Sequence, residues 1–147
     1  MTGAVGVLDL SGNLLDAKQV KGLYAYETNA TVLAKGDSVV LRVLVASGTG
    51  FHEESLVVLT LYEGKLIETL RCSGLSYSMN GEFYSQMVRL IFRDLYGDGT
   101  CEIIRLVASN RYESSADQEN AMPRVTRMTA EVFEFDPESR QYFRAFE

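Results

Sequence analysis

The stretch Asp94-Leu95-Tyr96-Gly97-Asp98-Gly99-Thr100-Cys101-Glu102, which runs straight into Ile103-Ile104-Arg105-Leu106-Val107, decides how this chain reads. Acidic side chains recur around a glycine-bearing turn, and the apolar segment that follows has the β-branched content of a strand. A hard cation takes six to eight oxygen ligands, and a tight turn aims loop positions one, three, five and nine inward, with glycine permitting the bend. Here those positions are Asp94, Tyr96, Asp98 and Glu102. Tyr96 departs from the pattern, because position three is ordinarily Asp or Asn and a phenol is a bulky, poor calcium ligand. The stretch predicts a calcium-loop-like turn that opens a β-strand.

Working outward, strand patterns dominate. Residues 39–46 form a nearly continuous apolar run, rich in β-branched side chains, that reads as a strand covered on both faces. Segments 56–62 and 65–70 flank Glu63-Gly64 and predict a hairpin with a tight turn. Residues 87–93 alternate, with Val88, Leu90 and Phe92 on one face and Arg89 and Arg93 on the other. After the acidic loop, 103–108 is a strand. Segments 127–135 and 141–146 flank a turn opened by Asp136-Pro137. In the first third, 6–10 and 23–28 are candidate strands, and 14–23 is open between strand and short helix. The polar stretch 110–120 is the candidate long exposed loop.

Two echoes suggest an internal repeat. Leu44-Val45-Ala46-Ser47-Gly48 recurs as Leu106-Val107-Ala108-Ser109-Asn110, and Asp9-Leu10-Ser11-Gly12-Asn13 resembles Asp94-Leu95-Tyr96-Gly97-Asp98. The expected fold is one all-β domain over residues 1–147, made of antiparallel meanders, with a second unit at about 86–147.

The composition sets bounds. With 147 residues, 46% hydrophobic and 23% charged, the chain suits one domain with a sizeable core. A formal charge of −6 and no run of basic residues argue against nucleic acid or an anionic membrane as partner. The longest apolar run is broken by Arg42 and falls far short of the roughly 20 residues a membrane span needs. The first residues lack the basic start and apolar core of a signal peptide, so the chain is either cytosolic or a mature form, and an extracytoplasmic setting is expected. Cys72 and Cys101 allow either a disulfide or two reduced, buried thiols.

Catalytic signals are sparse. His52 is the single histidine and sits in Gly48-Thr49-Gly50-Phe51-His52-Glu53-Glu54-Ser55, which reads as a surface loop. There is no second ligand at zinc spacing and no Gly-x-Ser-x-Gly nucleophile elbow. Two facing carboxylates would suffice for a glycosidase, but their facing is not legible in sequence. Residues 73–84 form a Ser-, Gly- and Tyr-rich stretch, read as a loop between strands. Such a loop combines adaptable hydrogen bonding with rigid aromatic anchors, and Ser73, Gly74, Tyr77 and Tyr84 are its candidate partner-binding residues.

The stretch Asp94-Leu95-Tyr96-Gly97-Asp98-Gly99-Thr100-Cys101-Glu102-Ile103-Ile104 resembles the loop of the FG-GAP and VCBS repeats, the β-propeller family that tends to read Asp-x-Asn-x-Asp-Gly-x-x-Asp/Glu before an apolar strand. The resemblance implies two propeller-like blades. It also implies a bound Ca2+ held by the side chains of Asp94, Asp98 and Glu102 and the backbone carbonyl of Thr100. Tyr96 breaks the match, and such loops can keep their shape by internal hydrogen bonds after losing the ion. In size and layout the chain is also similar to small propeller-like inhibitors and immunity proteins directed at peptidoglycan hydrolases. The expected role is a non-catalytic binding module for protein or cell-wall carbohydrate, with self-association through a sheet edge. An inhibitor of a cell-wall hydrolase and a carbohydrate-active enzyme are the alternatives.

Overall fold

The computed structural model describes residues 2–21, 28–33, 36–79, 82–112 and 122–146. All ordered elements among them are strands: β1 (Thr2–Leu8), β2 (Leu14–Lys21), β3 (Thr28–Leu33), β4 (Gly36–Gly48), β5 (Phe51–Tyr62), β6 (Lys65–Met79), β7 (Glu82–Arg93), β8 (Glu102–Tyr112), β9 (Val125–Asp136) and β10 (Gln141–Arg144). The chain is all-β, as its alternating patterns predict. Strands β3 to β10 form one antiparallel sheet in chain order, and β1 pairs with β2 apart from it. No helix among the described residues is long and apolar enough to cross a membrane.

The eight-stranded sheet does not stay flat. Strand β6 pairs with β7 over a short stretch, Ser76 with Ser85 to Met79 with Glu82. Beyond it the strands part, and the β3–β6 and β7–β10 meanders close on each other. Their inner faces share one core, in which Val40, Leu56, Val58, Leu70 and Cys72 meet Val88, Ile103, Val107 and Tyr142. Gly74 sits where the strands part: a Cβ there would lie 3.2 Å from Val88 Cγ2 and 3.3 Å from the Gln86 carbonyl oxygen. Absence of a side chain is what lets the two layers approach so closely.

Strand β4 is covered on both faces, as its continuous apolar run predicts. Leu41 and Val43 point away from the shared core and join Val57, Leu59 and Leu66 in a second cluster, which Val20 of β2 closes with Val5 and Val7 of β1. The β1–β2 hairpin thus roofs the outer face of the first meander, giving three layers. Asp16 anchors it by accepting the Leu66 N–H at 2.6 Å. That bond is the main reason its carboxyl lies below the ordinary range.

Where β6 has left β7, side chains take over its open edge. Leu66 N–H donates to Asp16, the Glu68 carbonyl accepts from Gln141 Nε2 at 2.7 Å, and the Ser73 carbonyl accepts from Arg105 Nη2 at 3.0 Å. A strand edge covered this way offers few groups to a foreign strand. Both cysteines are free thiols, Cys72 in the shared core. Burial pushes the Cys72 thiol up, and Arg105 pulls it partly back.

The turns follow their residues. The β5–β6 hairpin turns on Glu63 and Gly64 at φ 50° and 78°, the both-positive pair of a type I′ turn that suits right-twisted strands. Asp136 opens the β9–β10 turn by accepting from the N–H groups of Glu138 and Ser139. Segment 14–21, open between helix and strand in sequence, is β2. Its burial alternates along the strand, which is the two-residue period of a half-covered sheet. The candidate strand at 23–28 lies outside the described residues except for Thr28, and the candidate loop at 110–120 does so from 113 onward; Asn110 to Tyr112 belong to β8.

Candidate functional site

The acidic loop joins β7 to β8, and its carboxylates hold the loop itself. Asp94 Oδ1 accepts the N–H groups of Gly97 (2.6 Å) and Asp98 (3.2 Å), and Oδ2 accepts that of Gly99 (3.0 Å). Asp98 accepts the Thr100 N–H at 2.7 Å. Glu102, 2% exposed, reaches back to the Leu95 N–H at 2.7 Å. The Tyr96 phenol turns out of the loop and donates to Glu134 of β9 at 2.7 Å, which raises its pKa. Asp94, Asp98 and Glu102, expected with Thr100 to hold Ca2+, each accept backbone N–H groups in this geometry. Among the described residues no three His, Cys, Asp or Glu side chains converge in a way that would hold a metal ion. Each carboxylate instead answers a backbone N–H that the turn leaves without a strand partner. Asp9 does the same in the β1–β2 turn, accepting from Ser11 and Asn13, so the two Asp-rich turns share a local chemistry.

These bonds hold the loop from within. Adding calcium or a chelator is therefore expected to leave the melting temperature unchanged. Asp94→Ala is expected to lower stability by about 1 kcal/mol in both conditions, as loss of a capping carboxylate does. A rise in melting temperature with calcium that Asp98→Ala removes would sink the ion-free reading.

The Ser-, Gly- and Tyr-rich stretch is not a free loop. Residues 73–79 continue β6, and 82–84 begin β7. The pattern was obscured because small and hydroxylated side chains weaken the apolar alternation while leaving backbone pairing intact. Ser73 carries the carbonyl bonded by Arg105, and Gly74 is a packing position. Tyr84 donates to Glu82 at 2.6 Å and lies under the Arg111 guanidinium, which also pairs with Glu82. Tyr77 pairs with Tyr84 in the backbone ladder. Residues 80–81 lie outside the described residues.

His52 is also on a strand, because the β4–β5 turn is confined to Thr49 and Gly50. It borders a small recess, partly open to solvent, between β4–β6 and the start of β7. Among the residues lining it, Glu54 supplies the single carboxylate. His52 Nε2 and Arg42 Nη1 each lie 2.9 Å from that carboxylate. The recess thus offers no second carboxylate for glycoside chemistry, and its volume of about 30 Å3 is far below the roughly 300–1,000 Å3 that small-molecule sites occupy. Burial disfavours the Glu54 anion, but bonds from His52 and Arg42 outweigh it and hold its pKa below the ordinary 4.5. A depressed carboxyl stabilises the fold above pH 4.5 and loses that contribution as pH falls through its folded value. The urea midpoint is expected to stay level from neutrality to about pH 5 and to fall below it. Glu54→Gln should flatten part of that fall; an unchanged profile would remove Glu54 from the acid response.

The least expected feature is the outer face of the second meander. Pairing aligns Ile91, Ile104 and Val132 in one row across β7, β8 and β9. The next row is Arg89, Leu106 and Ala130, and the third is Met87, Ala108 and Met128. By the two-residue alternation all nine project opposite to Val88, Ile103 and Val107 of the core. None belongs to either core cluster, and Met87 and Met128 are 67% and 70% exposed. The first meander's outer face has the β1–β2 roof; among the described residues nothing covers this one. The sequence carried a signal for it, since Met87 and Ile91 fall on the same face of 87–93 as Arg89 and Arg93, and Ile103-Ile104 places an apolar residue on each side of the sheet.

A scan of known family models, a search of curated proteins and a search of solved structures each return no match.

Proposed function

We propose that this chain is a non-catalytic binding module whose docking surface is the outer face of β7, β8 and β9. The observation that carries the reading is the stack of three cross-strand rows with eight apolar residues and a single charge, Arg89, none of them covered by another strand layer among the described residues, whereas the first meander's outer face is roofed by the β1–β2 hairpin. Soluble monomers rarely leave a contiguous apolar patch beyond a few hundred Å2 open unless it serves an interaction. The two Met side chains suit such a role, because an unbranched thioether adapts to the shape it meets. In this reading the two four-stranded meanders serve as propeller-like blades, and the acidic loop braces the β7–β8 end of the platform.

The test is photocrosslinking from a reactive residue placed at Met128, with one at Lys65 on the β5–β6 turn as control. A discrete adduct from position 128 and none from position 65 is expected. Equal, diffuse labelling from both positions would sink the proposal.

A further inference from the structure

Resting on that reading, we infer that the partner docks as an extended peptide strand, added antiparallel to the open edge of β9 and alternating apolar with polar side chains, one of them acidic. β10 shows what this edge takes. It pairs with β9 over 133–136 only, and the last bond on that side runs from the Ala145 N–H to the Val132 carbonyl. From there back to Val125, β9 is held by β8 on one side, and among the described residues no strand lies on the other.

The direction of the backbone follows from that last bond. In an antiparallel ladder the N–H and carbonyl of one residue face the same neighbour, and successive residues face opposite neighbours. Val132 turns its carbonyl to the β10 side, so Ala130, Met128 and Thr126 turn their N–H groups and carbonyls the same way. No strand or side chain among the described residues bonds them. The open edge of β6 is answered by Asp16, Gln141 and Arg105, whereas this one is left as a template for strand addition. The outer edge of β1 also lacks a strand among the described residues, but it belongs to a two-stranded hairpin. β9 is fixed in an eight-stranded sheet, a firmer base for a further strand.

Side chains set the chemistry of the occupant. Met128 and Ala130 end two of the apolar rows, so the added residues opposite them continue those rows and are apolar. On the other face Arg127 ends the row of Gln86 and Ser109; it is exposed and has no side-chain partner among the described residues. Glu131, further along that face of β9, is already taken by Arg105 and Arg144. The occupant therefore places its acidic residue opposite Arg127. Salt confines charge effects to about 8–10 Å, so Arg127 and Arg124 at this end of β9 govern the docking strand more than the chain's net −6 does.

The experiment is fluorescence anisotropy of a labelled synthetic peptide titrated with the full chain. The peptide has about seven residues, valine alternating with threonine and a glutamate at its centre. Two N-methylated versions block alternate amides, one set facing β9 and the other facing away. The parent is expected to bind, one methylated version to bind about tenfold or more weakly, and the other to bind like the parent. Met128→Pro removes an edge N–H and leaves the β8 ladder intact, the setting in which a sheet tolerates proline, and should abolish binding with the strand spectrum unchanged. Arg127→Glu, which keeps the backbone, should weaken the parent about tenfold and favour a peptide with lysine in place of glutamate. Equal binding of both methylated versions overturns strand addition and leaves the docking face standing. Binding that depends on the methylated set but is indifferent to both protein variants overturns the placement on β9 and points to another edge, such as β1. No binding of the parent overturns the inference, while a discrete crosslink from position 128 would still support the docking face.

Discussion

Ile103→Ala is expected to lower the stability of this protein by about 3 kcal/mol, within the range for removing a large aliphatic side chain from a packed core. Ile103 is fully buried in the shared core, paired in the ladder with Phe92 on one side and Phe133 on the other. It belongs to the core cluster that joins the two meanders, so the cavity would open where neither sheet collapses without dragging its strands. For a chain of this size the melting temperature should fall by about 10 °C, since each kcal/mol shifts it by about 2–4 °C. Leu106→Ala, three residues along on the opposite face, is the contrast. Leu106 is half-buried and outside the core, and its loss should lower monomer stability by about 1 kcal/mol or less. Equal drops in the two variants would mean that the inner and outer faces are not distinguished as described.

The second large effect is expected at Arg105. Its guanidinium spans the gap where β6 and β7 have parted, bonding Glu131 Oε2 at 2.8 Å through Nη1 and the Ser73 carbonyl at 3.0 Å through Nη2. Glu131 also takes Arg144 at 3.3 Å. Arg105→Ala leaves a carbonyl on the open edge of β6 without its donor and a half-buried carboxylate with a weaker partner. The expected loss is about 2 kcal/mol, in the range for hydrogen bonds to charged groups. The buried Arg105 Nε–H has no acceptor among the described residues, which keeps the net contribution below what two charged bonds would give. Urea unfolding measures it, with an unchanged slope showing that the compactness of neither state has shifted. Arg105 also pulls the Cys72 thiol down against its burial. A loss under about 0.5 kcal/mol would mean that the β8 to β6 bridge is incidental.

The fold class was legible because strand patterning is local. The run through Val39–Leu41–Val43 and the Glu63-Gly64 turn carry their instructions in neighbouring residues, and the structure follows them. The Asp94 stretch was legible as a turn for the same reason, since Asp side chains and glycines dictate backbone hydrogen bonding within a few residues. The destination of its carboxylates was not. Whether Asp94, Asp98 and Glu102 converge on one point or disperse onto N–H groups depends on how β7 and β8 enter the loop and on Tyr96 finding Glu134, 38 residues away.

The Ser73 and Tyr84 stretch misread as a loop has the same origin. Small and hydroxyl residues are compatible with either state, and pairing with β5 and β7 decided between them. Gly74 illustrates it: in sequence it looks like loop flexibility, in space it is the close approach of two layers.

By itself the sequence determined most strand segments, most turns and a core on both sides of β4, because each rests on periodicity or turn chemistry. The tertiary structure alone decided which faces are covered. Burial is a property of pairs of surfaces: the parting of β6 from β7 closes one pair, the β1–β2 hairpin covers a third face, and among the described residues no strand layer covers the apolar rows of β7, β8 and β9.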